Sequence, residues 1–402
     1  MHPEKGTQAD RYMMNTRNTN VSFTTTGIHW ARLMSEDSLR ITRGVCYAIY
    51  AYDVANFIDL DAAERKLESP ERQTVHQKRR APSYFEYRPA PLRETFSVTP
   101  VKVEGFACAT SADLVMYDFG AISLSFAIPI EGPFDRMVQL ASGLRGNAEL
   151  LRESRRLVDQ LMAILGPAAD RPRVAPLVED YLVFQVDQWT PGLDASALHE
   201  RFAPAIAQVL RAEDRTLSDQ EAAQATDYRA SFGPGDLAVI DTDAAVVFDP
   251  DAADVRAVIE FANAQILEMR FLDQQLDEVL ERSYELLARQ QRTRGLLGIR
   301  STEPWKVAQF QLDAAILFER VTNALKLIGE QYLTRIYGLI SRRFHLAEWD
   351  ASISRKLETI ESIYEKMNSQ AATRRMEVLE WIIILLFVVS IIIPFLPGLG
   401  GK

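Results

Sequence analysis

Apolar positions along the chain follow two different periods, and the change between them divides the sequence. Residues 44–55, GVCYAIYAYDVA, are dense in aromatic and small apolar side chains, which predicts a strand. NFIDLDAAERKL then reads as a helix start, and 69–93, with Pro70, Pro82, Pro89 and Pro91, reads as irregular. Residues 95–103 and 114–128 are expected to be strands, the second bent or bulged at Gly120. Residues 134–165 predict one or two helices that stop at Gly166-Pro167. A strand at 181–186 precedes a helix at 195–210 with Leu198, Phe202, Ile206 and Val209 on one face. DLAVIDTDAAVVFD, 236–249, reads as a hairpin turning near Thr242-Asp243. Strands and helices interleave irregularly, so the expected unit is an α+β domain over residues 25–250. The polar segment before it, 1–24, is expected to be disordered.

Past Asp249-Pro250, an N-cap and first-turn pair, the period becomes helical. Met269, Leu272, Leu276, Val279, Ser283 and Leu286 step by three or four, a coiled-coil seam in a helix reaching about residue 292. A second stripe, from Val307 and Phe310 through Ala314, Leu317, Val321, Leu325, Ile328, Tyr332 and Ile336 to Leu339, predicts a helix over 304–344. Together these make a long helical hairpin, 251–346. Trp349, Ile353, Leu357, Ile360, Tyr364 and Met367 mark a third stalk helix, 347–380. Helical rise makes the three about 60, 60 and 50 Å long, and short connections make neighbours antiparallel.

Residues 381–401, WIIILLFVVSIIIPFLPGLGG, contain no charge, the usual mark of a membrane-crossing helix. A transmembrane tail anchor is therefore expected at 381–399, with Trp381, Ile384, Phe387, Ile391 and Pro394 in the bilayer. Arg374 and Arg375 before the run, against Lys402 alone after it, place the body in the cytoplasm and the chain in the inner membrane as a single-pass protein. The antiparallel geometry brings the loop RTRGLLGIRSTEPW to the same end. Its Arg292, Arg294, Leu296, Leu297 and Arg300 are candidate lipid contacts along with Arg374 and Arg375, or else a solvated loop capping the bundle.

Composition narrows the function classes. The chain is 402 residues long with a net charge of −10, which argues against general nucleic-acid binding. Two cysteines, Cys46 and Cys108, make no CxxC pair and no disulfide scaffold. The five histidines have no zinc-ligand spacing, and HExxH, GxGxxG, Walker A and GxSxG are missing, so no cofactor, metal or catalytic residue is assigned. Asp118-Phe119-Gly120 spells the kinase metal-binding triplet without the Gly-rich loop, HRD or APE that would give it meaning. HQKRRAPSYFEYRPAPLR, 76–93, interleaves Lys78, Arg79, Arg80, Arg88 and Arg93 with Tyr84, Phe85 and Tyr87. That mixture is a candidate anion-binding patch, or a proline-rich segment covering the sheet.

RRMEVLEWIIILLFVV, in which Arg375, Leu379, Glu380 and Trp381 open an apolar helix, resembles the end of the "required for meiotic nuclear division" proteins of unknown function. The YDFGAISLSF strand is similar to one of theirs. The resemblance implies a membrane-anchored, oligomerising protein with no established catalytic activity. The overall plan is also similar to that of CorA-type magnesium channels, but the second membrane helix and the Gly-Met-Asn motif are missing. The expected function is thus a membrane-tethered, non-enzymatic scaffold that self-associates and contacts lipids, its protein partner unnamed. A pore or transport component, or an enzyme with an unrecognised site in the α+β domain, are the alternatives.

Overall fold

A computed structural model describes residues 38–68, 70–72, 89–292, 304–323 and 331–392. In chain order the strands are β1 (Arg40–Asp53), β2 (Phe57–Ile58), β3 (Glu71–Arg72), β4 (Leu92–Ser97), β5 (Lys102–Val103), β6 (Phe106–Ala107), β7 (Ser111–Met116), β8 (Ala121–Pro133), β9 (Ala169–Asp170), β10 (Val178–Thr190), β11 (Arg229–Ala230), β12 (Leu237–Ile240) and β13 (Ala244–Phe248). The helices are α1 (Leu60–Glu64), α2 (Arg136–Leu144), α3 (Ala148–Leu165), α4 (Ala195–Arg211), α5 (Asp219–Ala225), α6 (Ala253–Arg292), α7 (Pro304–Asn323), α8 (Gln331–Arg343) and α9 (Leu346–Ile392).

Nine strands form one sheet in the order β11-β12-β13-β10-β1-β8-β7-β4-β3. Every pairing is antiparallel except that of β10 with β13. The long strands β1, β8 and β10 hold the centre because their side chains are buried on both faces. Ala48, Tyr50 and Tyr52 of β1, with Leu182, Phe184 and Val186 of β10, enter a core closed by α2, α3 and α4. The alternate residues Ile49, Tyr181 and Val183 enter a second core built with α6, α8 and α9. Further along, Val115, Tyr117, Phe119 and Ala121 pack with Phe261 and Ala264 of α6 and Leu317 and Val321 of α7. Two helical layers therefore enclose the sheet.

The expected fold class, an α+β domain followed by a long antiparallel stalk and a transmembrane helix, is overturned. The chain forms a large mixed α/β domain in which the first half of α6 is part of the core. From Ala257 to Met269 α6 is buried on every side, because the sheet covers one flank and α7, α8 and α9 cover the others. Only its distal half joins a helical bundle. There Ser352 and Lys356 of α9 hold Asp273 and Asp277, so the two helices run in step in the same direction.

The crossing at 381–399 and the inner-membrane placement are likewise overturned: no helix among the described residues is long and apolar enough to cross a membrane. In α9 the uncharged stretch reaches only from residue 381 to 392, and Glu377 and Glu380 precede it. Its helical rise of about 18 Å falls short of a hydrocarbon core of about 30 Å. Pro394, like the expected disordered segment 1–24, lies outside the described residues.

Smaller differences have local causes. The single strand expected at 114–128 is two, β7 and β8, because Tyr117 to Gly120 turn the chain. The helix expected over 304–344 is described as α7 and α8, with 324–330 outside the described residues. Near 134–165 there are two helices, with Gly146 at positive φ and Asn147 capping the second by accepting from the Glu149 and Leu150 amides.

The kinase-like triplet is a backbone device. The Asp118 carbonyl accepts from the Ile58 amide and the Gly120 carbonyl from the Val54 amide, stitching the β7–β8 turn to the end of β1. Gly120 has φ +102°, and a Cβ there would stand 1.9 Å from the Ala55 carbonyl oxygen. Gly120→Ala should therefore destabilise the chain by at least about 2 kcal/mol. Gly146→Ala is the comparison, since Gly146 has φ +62° but nothing within 4 Å of an added Cβ. In thermal melts, Gly120→Ala should lower Tm clearly more than Gly146→Ala does. Equal shifts would mean that the close approach to Ala55 is not what fixes this turn.

Candidate functional site

Strand alternation sends Ile49, Ala51 and Asp53 of β1, Ala121, Ser123 and Ser125 of β8, and Glu179, Tyr181 and Val183 of β10 toward α6. The facing turns of α6 bury Glu260, Asn263, Gln265 and Glu268. A polar layer thus lies between two apolar cores, where each polar group requires a partner. Most find one. Ser123 donates to Glu260 at 2.7 Å, Tyr337 of α8 donates to Gln265 at 2.8 Å, and the Asn263 amide donates to the Glu179 carbonyl at 3.3 Å.

Glu268 is the exception. It is 1% exposed, as is Asp53, and neither of its carboxyl oxygens has a hydrogen-bond partner among the described residues. Asp53 accepts from Arg173 at 3.2 Å through Oδ2, while its Oδ1 has no hydrogen-bond partner among the described residues. Arg173 reaches in from the segment between β9 and β10, held by its own amide on the Val54 carbonyl and by the Phe271 ring 4.8 Å from its guanidinium. One arginine therefore faces two buried carboxyls. Burial pushes Asp53 up to about 6, with Arg173 pulling the other way. Burial, reinforced by Asp53, pushes Glu268 well above the carboxylate range. Two carboxyls so placed hold a proton that exposed ones would have lost, the pattern seen at proton-handling sites. No group of three or more metal-ligating side chains occurs among the described residues.

A second charged knot ties the sheet to both helical layers. Asp241, buried at the β12–β13 turn, receives Arg211 of α4 at 2.9 Å and Arg343 of α8. The Tyr181 hydroxyl donates to the Asp241 carbonyl at 2.8 Å, and Tyr181 meets Phe344 edge to face.

The residues singled out in the sequence lie elsewhere. Trp381, Ile384, Phe387 and Ile391 are exposed on α9. Arg374 and Arg375 belong to α9 and Arg292 ends α6, but their side chains are outside the described set. Arg294, Leu296, Leu297 and Arg300, and all of Lys78, Arg79, Arg80, Tyr84 and Arg88, also lie outside the described residues. Arg93 is in β4 and pairs with Asp113 at 3.6 Å. The buried layer was missed, although polar letters inside apolar runs marked it: Asp53 after YAIYAY, Ser123 and Ser125 in AISLSFAI, and Glu268 in NAQILEM.

The family described as "Uncharacterized protein MJ0711, N-terminal domain" matches residues 43–254. The chain belongs to this family. It is similar to Uncharacterized protein MJ0711 of Methanocaldococcus jannaschii, with 23% identity over 167 residues, 41% of this chain and 51% of the relative. The chain thus spans about half the length of the curated relative it matches. No solved structure matches. The resemblance to the meiotic-nuclear-division proteins is corrected by this finding. All four of its tail marker residues, Arg375, Leu379, Glu380 and Trp381, lie in a helix far outside the matched span. Asp53, Arg173 and Asp241 lie inside that span, while Glu268 and Arg343 lie beyond it.

The Asp241 knot should be a major stabilising contact. Neutralising it leaves two arginines, one of them well buried, without their shared counter-charge, a loss of about 3–5 kcal/mol. Asp241→Asn should lower the urea midpoint accordingly, at unchanged slope. A change below about 1 kcal/mol would show that Arg211 and Arg343 find other partners.

Proposed function

We propose that the chain is an assembly scaffold that self-associates through the end of α9, its α/β domain carried outside the joint. One observation supports this reading: nine consecutive large apolar side chains, from Trp381 to Val389 with only Ser390 between them and Ile391, stand exposed on a helix end that no other described residue covers. Successive helical residues turn by 100°, so nine cover the full circumference. A single neighbouring helix buries only a stripe, so closing this surface takes at least two more helices. Identical copies supply them, because each chain brings the same apolar cylinder and the same Glu377 and Glu380 at its entry. Full burial of one such side chain contributes about 1.5–3 kcal/mol before the entropy of association is subtracted.

The test is oligomeric mass by sedimentation equilibrium. The full chain should exist as trimers or larger, and a chain ending at Ala372 as a monomer. Leu385→Glu with Phe387→Glu should dissociate the full chain in the same way. A monomeric full chain overturns the reading, and capture of that monomer by liposomes would assign the surface to lipid instead. A shortened chain that keeps the full mass would place the joint elsewhere.

A further inference from the structure

We propose that Asp53, Arg173 and Glu268 form a proton-dependent latch between the sheet and α6, closed while the two carboxyls keep a proton and released when it is lost. The position is suited to this. Asp53 is the last residue of β1, the central strand, and Glu268 sits on the last fully buried turn of α6 before that helix leaves the sheet for the bundle. Five residues further on, Asp273 holds Ser352 and Lys356 of α9, so the seating of α6 sets the root of the projecting helix. Four orphaned features converge here: two Glu268 oxygens, Asp53 Oδ1 and Arg173 Nε, all buried without a hydrogen-bond partner among the described residues.

The surrounding charges do not compensate. From the sheet, β1 offers Asp53 and β10 offers Glu179, whose partner is Arg270, two residues beyond Glu268 on α6. Arg171, beside Arg173 in the connecting segment, is taken by Asp313 of α7 at 2.7 Å. Asp118, from the β7–β8 turn, faces Arg320 of α7. Glu260 on α6 is satisfied by Ser123, and Lys356 of α9 by Asp273 and Asp277. Arg173 alone therefore opposes two carboxyls, and fully ionising both leaves one buried negative charge unmatched.

The sign follows from linkage. When α6 lifts, both carboxyls meet water and titrate near their ordinary values of about 4. When it is seated they keep the proton to higher pH, Asp53 to about 6 and Glu268 beyond. The latch is at full strength below about pH 4 and weakens as pH rises through the raised values.

Hydrogen exchange of the full chain reads this directly at the α6 amides between Ala253 and Leu272. Comparison with Glu268→Gln at each pH cancels the intrinsic exchange rate, and glutamine keeps the shape while removing the titration. Between pH 5.5 and 8.5 the exchange rate of the wild-type chain relative to the variant should rise at least tenfold, because one unit of pKa difference is a tenfold change in opening. If Glu268→Gln does not fold, Asp53→Asn serves in the same comparison with a smaller expected rise of about fourfold, because Asp53 keeps its proton only to about 6. A ratio that stays constant across this range overturns the latch. Because exchange is read at the sheet contact, in both the full chain and the chain ending at Ala372, the outcome is separable from whether copies associate through α9.

Discussion

The structure depends on one buried helix that is not apolar enough for its place. From Ala257 to Met269 α6 is covered by the sheet on one side and by α7, α8 and α9 on the others, so side chains there are shut off from water. Yet Glu260, Asn263, Gln265 and Glu268 lie on it. Each polar group removed from water without a partner costs about 1–3 kcal/mol, more if charged. The flanking elements are consequently placed to answer them: Ser123 in the middle of β8, Tyr337 on α8, and the Glu179 carbonyl of β10. These bonds fix the register of α6 on the sheet in a way that an all-apolar contact, which slides at little cost, does not.

Local structure was largely legible in the sequence, and its layering was not. β1, α3, α4 and the β12–β13 hairpin follow from periodicity, turn residues and caps, all of which act over a few residues. The layering depends on what covers each face, which periodicity does not report. AISLSFAI is buried on both faces, and its two serines look like interruptions of an apolar run, although one of them, Ser123, is a contact to α6. The 269–286 seam was visible because it repeats. The more consequential segment before it, 255–268, reads as undifferentiated because a helix buried all round has no polar face to give it phase. The candidate site was invisible for a related reason: Asp53, Arg173 and Glu268 are far apart in sequence and share no spacing.

The tail shows how a strong composition signal can exceed its geometry. Counting uncharged letters from 381 to 401 gives a run of membrane-crossing length. The described helix uses only those up to Ile392, and before Trp381 the same helix has charged residues at 374, 375, 377 and 380. What the structure shows is an exposed apolar cylinder from Trp381 to Ile391, and contiguous exposed apolar patches of that kind commonly mark interaction sites.

Both the knot at Asp241 and the carboxyl pair at Asp53 join the family-matched span to helices beyond it. Within 43–254 the sheet and its α2–α4 layer bury almost only apolar side chains. On the opposite face, charge is concentrated where later segments dock, through Arg343, Glu268, Arg270 and Asp313. Apolar contact supplies most of the binding energy of such a layer, but ionised and titratable pairs determine where it seats and under which conditions it holds. A chain whose family domain ends as α6 begins has thus placed its conditional contacts at the joint with its own helical layer. That arrangement lets the position of α9 respond to the state of a few side chains without disturbing the sheet that α6 rests on.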